Sequence, residues 1–238
     1  MNFKEVETLP LYWEMVNAEK IALLNLLNEV KPHISIEIGT KKGGSLQLIS
    51  KLSKQVYSLD IDPSVLELRA LFPAVNFIVG DSKKTLPALL TKLLQDGEQP
   101  DFILIDGDHS MEGVKSDIEN ILTQNISKPL AVIMHDSFNP ECRLGMLSAD
   151  YSRNRNVTSV EIDFVQGIYS PTELAKGEMW GGFGRILFNA EVQRQEPLVK
   201  QSSQYSFEKM YSVSRHFWLR QQNFTGRIKS FIFRKYYS

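Results

Sequence analysis

The chain is poor in cysteine. Its one thiol, Cys142, excludes an internal disulfide and fits a reducing compartment. It also lacks any apolar stretch near the ~20 residues that a membrane-spanning helix needs. The opening segment, Met1 to Trp13, carries Glu5 and Glu7 and no long apolar run, so it does not read as a signal peptide. There are no internal repeats and no low-complexity tracts. The formal net charge over 238 residues is only -1, which gives no global pull toward nucleic acid. These absences predict a cytoplasmic globular protein without a nucleic-acid partner. One absence is local: after Glu208 no acidic residue occurs, while Lys209, Arg215, Arg220, Arg227, Lys229, Arg234 and Lys235 do. Removing those seven from the 27 basic residues leaves 20 against 28 acidic, a net of -8 for the rest of the chain.

What is present is ordinary globular composition, 42% hydrophobic and 23% charged, in a length that suits one α/β domain with additions. Asn17 to Val30 has apolar residues at helical spacing and stops at Lys31-Pro32. Five strand-length apolar runs follow: Ile34 to Ile38, Val56 to Leu59, Val75 to Val79, Phe102 to Ile105 and Leu130 to Met134. Helical stretches lie between them, at Ser45 to Leu52, Ser64 to Leu71, Lys84 to Leu94 and Met111 to Leu122. Strands and helices alternating at this pitch predict an α/β fold: a Rossmann-like, doubly wound, mostly parallel sheet with helices on both faces. Val160 to Val165 and Phe183 to Phe188 then read as a terminal hairpin around a long loop, Gln166 to Gly182. Gln204 to Tyr237 reads as one or two helices broken near Thr225-Gly226. The expected organisation is a helical N-terminal segment (1–33), a core (34–190) and a basic, aromatic, helical C-terminal extension (191–238).

Open α/β sheets bind ligands at the carboxyl ends of their strands. The first strand leads into a glycine-rich loop with Gly39, Gly43 and Gly44, where the dinucleotide fingerprint G-x-G-x-x-G is absent. The second strand ends at Asp60, whose carboxylate suits the 2′ and 3′ hydroxyls of a ribose. Asp62, ahead of Pro63, is next in line or a helix cap. Asp81-Ser82 after the third strand either meets an adenine amine or caps a helix.

These motifs, in series, resemble those of class I S-adenosylmethionine-dependent methyltransferases: Glu37-Ile38-Gly39-x3-Gly43-x-Ser45, Leu59-Asp60-Ile61-Asp62-Pro63, Gly80-Asp81-Ser82 and Asp101 to Ser110. Within that class the chain is similar to the small-molecule O-methyltransferases, in particular the sugar, macrolide and cephalosporin-type enzymes. The resemblance spans Ile34 to Ser137, with a weaker Glu178-Met179-Trp180-Gly181-Gly182 beyond it. It implies a seven-stranded sheet with an antiparallel last strand. It also implies S-adenosyl-L-methionine as donor, held by Glu37, Gly39, Thr40, Gly43, Ser45, Asp60, Asp81, Ser82 and Asp106, and a divalent metal at the acceptor hydroxyl. His109, three residues after Asp106, takes the place of a candidate base beside that hydroxyl. Asp106 and Asp136 end adjacent strands, and two converging carboxylates repel unless one is protonated or a cation sits between them. The family's further ligand beside the fifth-strand aspartate is replaced here by His135 before it and Ser137 after it. The expected metal set is therefore Asp106, His135 and Asp136, a mixed nitrogen and oxygen site that favours Mn or another transition metal over Mg; two solvated aspartates without a metal are the alternative.

The expected acceptor is a hydroxylated small molecule, with sugar and lipid-linked glycan both open. Trp180 in the late loop reads either as a flap over that acceptor or as a packed turn residue. The basic, aromatic tail reads as a peripheral membrane contact, or as a surface that packs on the acidic body or on a second subunit in a homo-oligomer. Two other readings stay open. One is an NAD(P)-dependent sugar oxidoreductase or epimerase, for which Tyr205 and Lys209 give a Y-x3-K pair, though beyond the last strand. The other is a catalytically inactive donor-binding scaffold.

Overall fold

The computed structural model describes residues 1–220. Two helices, α1 (Phe3–Glu7) and α2 (Asn17–Val30), precede the sheet. Strands β1 (Ile34–Ile38), β2 (Gln55–Asp60), β3 (Val75–Val79), β4 (Phe102–Ile105) and β5 (Leu130–His135) then alternate with helices. These are α3 (Leu46–Leu52), a 3-10 helix at Pro63–Ala70, α4 (Ser82–Gln95) and α5 (Met111–Leu122). Beyond β5 lie α6 (Pro140–Ser148), β6 (Val157–Val165), β7 (Ile168–Tyr169), β8 (Met179–Trp180), β9 (Phe183–Phe188), β10 (Val199–Lys200) and α7 (Gln204–Val213).

The main sheet has the order β10-β6-β9-β5-β4-β1-β2-β3. Every neighbouring pair is parallel except the two made by β9, which runs antiparallel to β5 and β6. Strand order reverses between β1 and β4, which opens a crevice at their carboxyl ends. The core strands are largely apolar on both faces because both are covered. Ile34, Ile36 and Ile38 join Ile103, Ile105, Val132 and Met134 in packing on α4 and α5. The alternate residues Phe102, Leu104, Ala131 and Ile133 pack on Leu23 and Leu27 of α2 and on Leu46 and Ile49 of α3. Each such fully buried Val, Leu, Ile, Phe or Met side chain contributes roughly 1.5–3 kcal/mol. Ser35 and Glu37 alternate with the β1 isoleucines, so the strand's period of two sends a carboxylate into the α2–α3 side.

The structure adds to the expected architecture at its margins. The sheet has eight strands, not seven, because the two-residue β10 pairs with the edge of β6. That strand lies within 191–238, the segment expected as a helical extension, ahead of the helices expected from Gln204. Pro63–Ala70 is a 3-10 helix rather than an α-helix: it buries only Val65, so no apolar stripe holds the wider geometry. Within the late loop, β7 and β8 pair as a small antiparallel ribbon. The C-terminal helix breaks at Ser214 and resumes over 215–220; the break expected near Thr225-Gly226 and most of the basic tail lie outside the described residues. No helix among the described residues is long and apolar enough to cross a membrane.

Candidate functional site

The crevice opens into a cavity of about 960 Å³ walled by the ends of β1 to β5, by the segment 12–16 ahead of α2 and by the late loop with Trp180. Gly39 has φ +87, and a Cβ there would collide with the Asp106 carbonyl, so only glycine lets the turn after β1 lie against the end of β4. Asp60 shapes that turn. Its Oδ2 accepts the amides of Thr40 (2.8 Å) and Lys41 (2.9 Å), and its Oδ1 accepts that of Asp62 (2.9 Å). Oδ1 keeps a free lone pair, and the side chain lines the cavity. Asp62 and Asp81 act as caps, accepting the amides of Ser64 (2.9 Å) and Lys83 (3.0 Å). Ser82 opens α4, and it lines the cavity together with both of these aspartates.

Glu37 and Gly43 stand behind this wall. Ser45, which lines the cavity, donates its hydroxyl to Glu37 Oε1 at 2.6 Å, and Glu37 Oε2 has no partner. Burial raises the Glu37 pKa to about 8, with Asp106 and Asp60 adding to the push against the Ser45 bond, so this carboxyl holds its proton at neutral pH. Gly43 turns the loop at φ +76 and packs toward Leu11, Leu68 and Phe72.

At the ends of β4 and β5 the acids and imidazoles converge. Asp136 has φ +59, a strained conformation for a non-glycine residue, and its Oδ1 accepts the Gly181 amide at 2.6 Å. His109 Nε2 lies 3.3 Å from Asp136 Oδ2 and 3.6 Å from Asp106 Oδ1. Asp106, His109 and Asp136 each offer one ligand atom, all within 4.8 Å of one another. Two carboxylate oxygens and an imidazole nitrogen fit a divalent cation such as Mn. The expected third ligand, His135, is placed differently. Its Nδ1 meets Asp106 Oδ1 at 2.7 Å and its Nε2 meets Glu19 Oε1 at 3.2 Å, so both ring nitrogens are already engaged and His109 takes the third place in the converging group.

Charge follows from this packing. Burial works against a proton on His135, but Asp106 and Asp136, with the bonds to Asp106 and Glu19, outweigh it and hold the pKa well above the ordinary imidazole value. Both ring N–H groups then donate. Burial pushes Asp106 upward, yet the His135 charge and the two histidine contacts bring it down to about 2. Asp136 moves the other way: burial raises it, beyond what His135 offsets. His109 is raised chiefly by the neighbouring Asp106.

Glu19 was not among the expected site residues. It sits early in α2 with no motif around it, and only the folded chain brings it to His135. The late loop closes the same end of the cavity. Trp180 lines it and donates its indole N–H to Glu178 at 3.0 Å, and Arg215 reaches the other Glu178 oxygen at 3.2 Å.

Residues 36–137 match the family described as a methyltransferase domain. No curated protein sequence matches the chain. Among solved structures it is similar to a cofactor-bound protein from MTB: 17% identity, covering 80% of this chain and 87% of that one, with a TM-score of 0.53. It is also similar to an O-methyltransferase from Bacillus cereus in complex with SAH: 16% identity, 78% and 90% covered, TM-score 0.49. At such identities the first likeness speaks for the fold.

Proposed function

We propose that the chain, in which residues 36–137 match a methyltransferase domain, acts as a class I S-adenosylmethionine-dependent methyltransferase and methylates a hydroxyl of a small molecule with help from a divalent metal. The observation that carries this reading is the convergence of Asp106, His109 and Asp136 in the same cavity that Gly39, Thr40, Lys41 and Asp60 line. Asp60 accepts from ribose hydroxyls, Asp81 and Ser82 border the adenine, and Ser45 carries the influence of Glu37 to the donor's methionine end. Bound there, the donor supplies an already activated methyl group, so catalysis is largely the alignment of acceptor oxygen with methyl carbon. Asp106, His109 and Asp136 would hold the metal, which when bound favours the alkoxide form of the acceptor. A second reading is favoured by His135: as a buried imidazolium it already offsets the carboxylates, which leaves His109 free to take the hydroxyl proton itself.

Trp180 lines the cavity beside His109, which supports a ring-bearing acceptor, either a sugar, free or lipid-linked, or a phenol. A reducing compartment belongs to the same proposal and is supported by the lone, buried Cys142. The match to a methyltransferase domain leaves the nicotinamide-dependent reading without support. Calorimetry with S-adenosylhomocysteine, followed by methyl transfer to a panel of sugars and phenols with and without Mn, is the test. No binding of S-adenosylhomocysteine ends the donor assignment. Turnover that is indifferent to chelator removes the metal and leaves His109 as the base.

A further inference from the structure

Glu19 is 1% exposed, and charged side chains are buried this deeply only when fully paired. Its pairing is complete. Oε2 accepts the Val16 amide at 2.7 Å, which starts α2; Oε1 accepts the Gly182 amide at 2.6 Å and faces His135 Nε2 at 3.2 Å. From Oε1 two routes lead to the aspartates. One passes through the His135 ring to Asp106 Oδ1 at 2.7 Å. The other passes through the paired-glycine turn, where Gly182 is held by Glu19 and Gly181 donates to Asp136 Oδ1 at 2.6 Å. Gly181 has φ +71, and a Cβ on it would lie 2.6 Å from Glu19 Oε1, so the turn is shaped around this carboxylate.

We propose that Glu19 is a positioning residue for the Asp106–His109–Asp136 group: it orients Asp106 through His135 and Asp136 through the Gly181–Gly182 turn, without touching either acid. The proposal rests on the reading of that group as a cation site. It assigns the N-terminal helix a part in the chemistry at the far end of the sheet. All three partners of Glu19 present N–H groups, so glutamine, with one oxygen and one NH₂, fits the volume but sets a donor against a donor.

The test is titration of the full chain with Mn²⁺ alone, followed by electron paramagnetic resonance, beside calorimetry with S-adenosylhomocysteine. Glu19→Ala is expected to raise the Mn²⁺ Kd at least tenfold and Glu19→Gln at least threefold, with S-adenosylhomocysteine affinity within threefold of wild type. The glutamine variant keeps the side chain's volume should the alanine variant not fold. Leu24→Ala, in the same helix and away from the site, is the control: it is expected to lower Tm and leave Mn²⁺ affinity alone. Wild-type Mn²⁺ affinity in folded Glu19 variants, or equal weakening by Leu24→Ala, overturns the proposal. If the wild-type chain binds S-adenosylhomocysteine but takes no Mn²⁺, the cation reading fails, and Glu19 is then judged on the His135–Asp106 proton. Loss of its low-field proton resonance in Glu19→Gln upholds the positioning role, and its persistence overturns it.

Discussion

The indole of Trp180 meets the imidazole of His109 edge-on, with ring centroids 5.4 Å apart and planes at 70°. Behind the indole, Glu178 holds its N–H, and Arg215 holds Glu178 while donating its own backbone amide to Gly177 at 2.7 Å. The helical stretch after α7 therefore braces the loop that closes the cavity over His109. Trp180→Ala is expected to raise the acceptor KM up to about tenfold, the worth of one aromatic contact. Arg215→Ala acts through a half-exposed ion pair and is expected to raise it only about two- to fivefold. Both should leave affinity for S-adenosylhomocysteine unchanged. Steady-state kinetics on any acceptor that turns over reads this, and an unaltered KM in Trp180→Ala removes the loop from the acceptor site.

Asp60 has two tasks, since the carboxylate that faces the cavity also anchors the turn after β1 through Thr40 and Lys41. Asp60→Ala is expected to weaken S-adenosylhomocysteine binding by about tenfold or more, the scale of a lost charge-assisted pair. Asp60→Asn, which keeps one acceptor oxygen, should lose less. Equal affinity in wild type and Asp60→Ala, measured by calorimetry, would refute the ribose role.

Arg143 and Asp163 form a buried ion pair at 2.7 Å between α6 and β6. Arg143 also donates to the Ser137 carbonyl and stacks 4.2 Å over Phe207 of α7, and Ser203 donates its amide to Asp163. The pair thus ties the C-terminal segment to the sheet. Arg143→Ala strands the Asp163 charge and is expected to cost about 3–5 kcal/mol, whereas a paired replacement by Met and Leu should recover much of it. Urea denaturation measures this; a cost below about 1 kcal/mol would show that water reaches Asp163.

Asp117 of α5 is fully buried and neither carboxylate oxygen has a hydrogen-bond partner. Burial raises its pKa to about 6, above the ordinary 3.8. The folded state therefore binds this proton more tightly than the unfolded chain does. The resulting stability is complete below about pH 4 and fades as pH rises through 6. Asp117→Asn is expected to be near neutral at pH 4 and to stabilise by about 1–3 kcal/mol at pH 8. A shift of equal size at both pH values would contradict the buried ionisation.

The strands were legible because doubly covered strands bury both faces and are rich in apolar residues; β1 and β4 are buried at every position, and their Ile, Leu and Phe runs stand out in the sequence even though β1 carries Ser35 and Glu37. Helix ends were legible in places, as at Lys31-Pro32 closing α2 and at Met111, where the expected helical stretch and α5 both begin. By contrast α6 begins at Pro140 with only a weak apolar stripe, and β10 is two residues long, too short for a period to register. Acids at the strand ends were legible for a topological reason, since parallel strands deliver their carboxyl ends to one rim, and Asp60, Asp106 and Asp136 all line one cavity there.

The one-dimensional order of residues thus determined the alternation of strand and helix, the parallel sheet and the rim of carboxylates, because each depends on side chains near one another in the chain. The placement of the two histidines was decided only by tertiary structure. His135 looked like a ligand from its place beside Asp136, yet Glu19, 116 residues away, takes its outer nitrogen and leaves His109 to face the aspartates. Contacts across such separations depend on how α2 docks against the sheet and on the left-handed turn at Gly181 and Gly182, and neither leaves a periodic trace in the sequence.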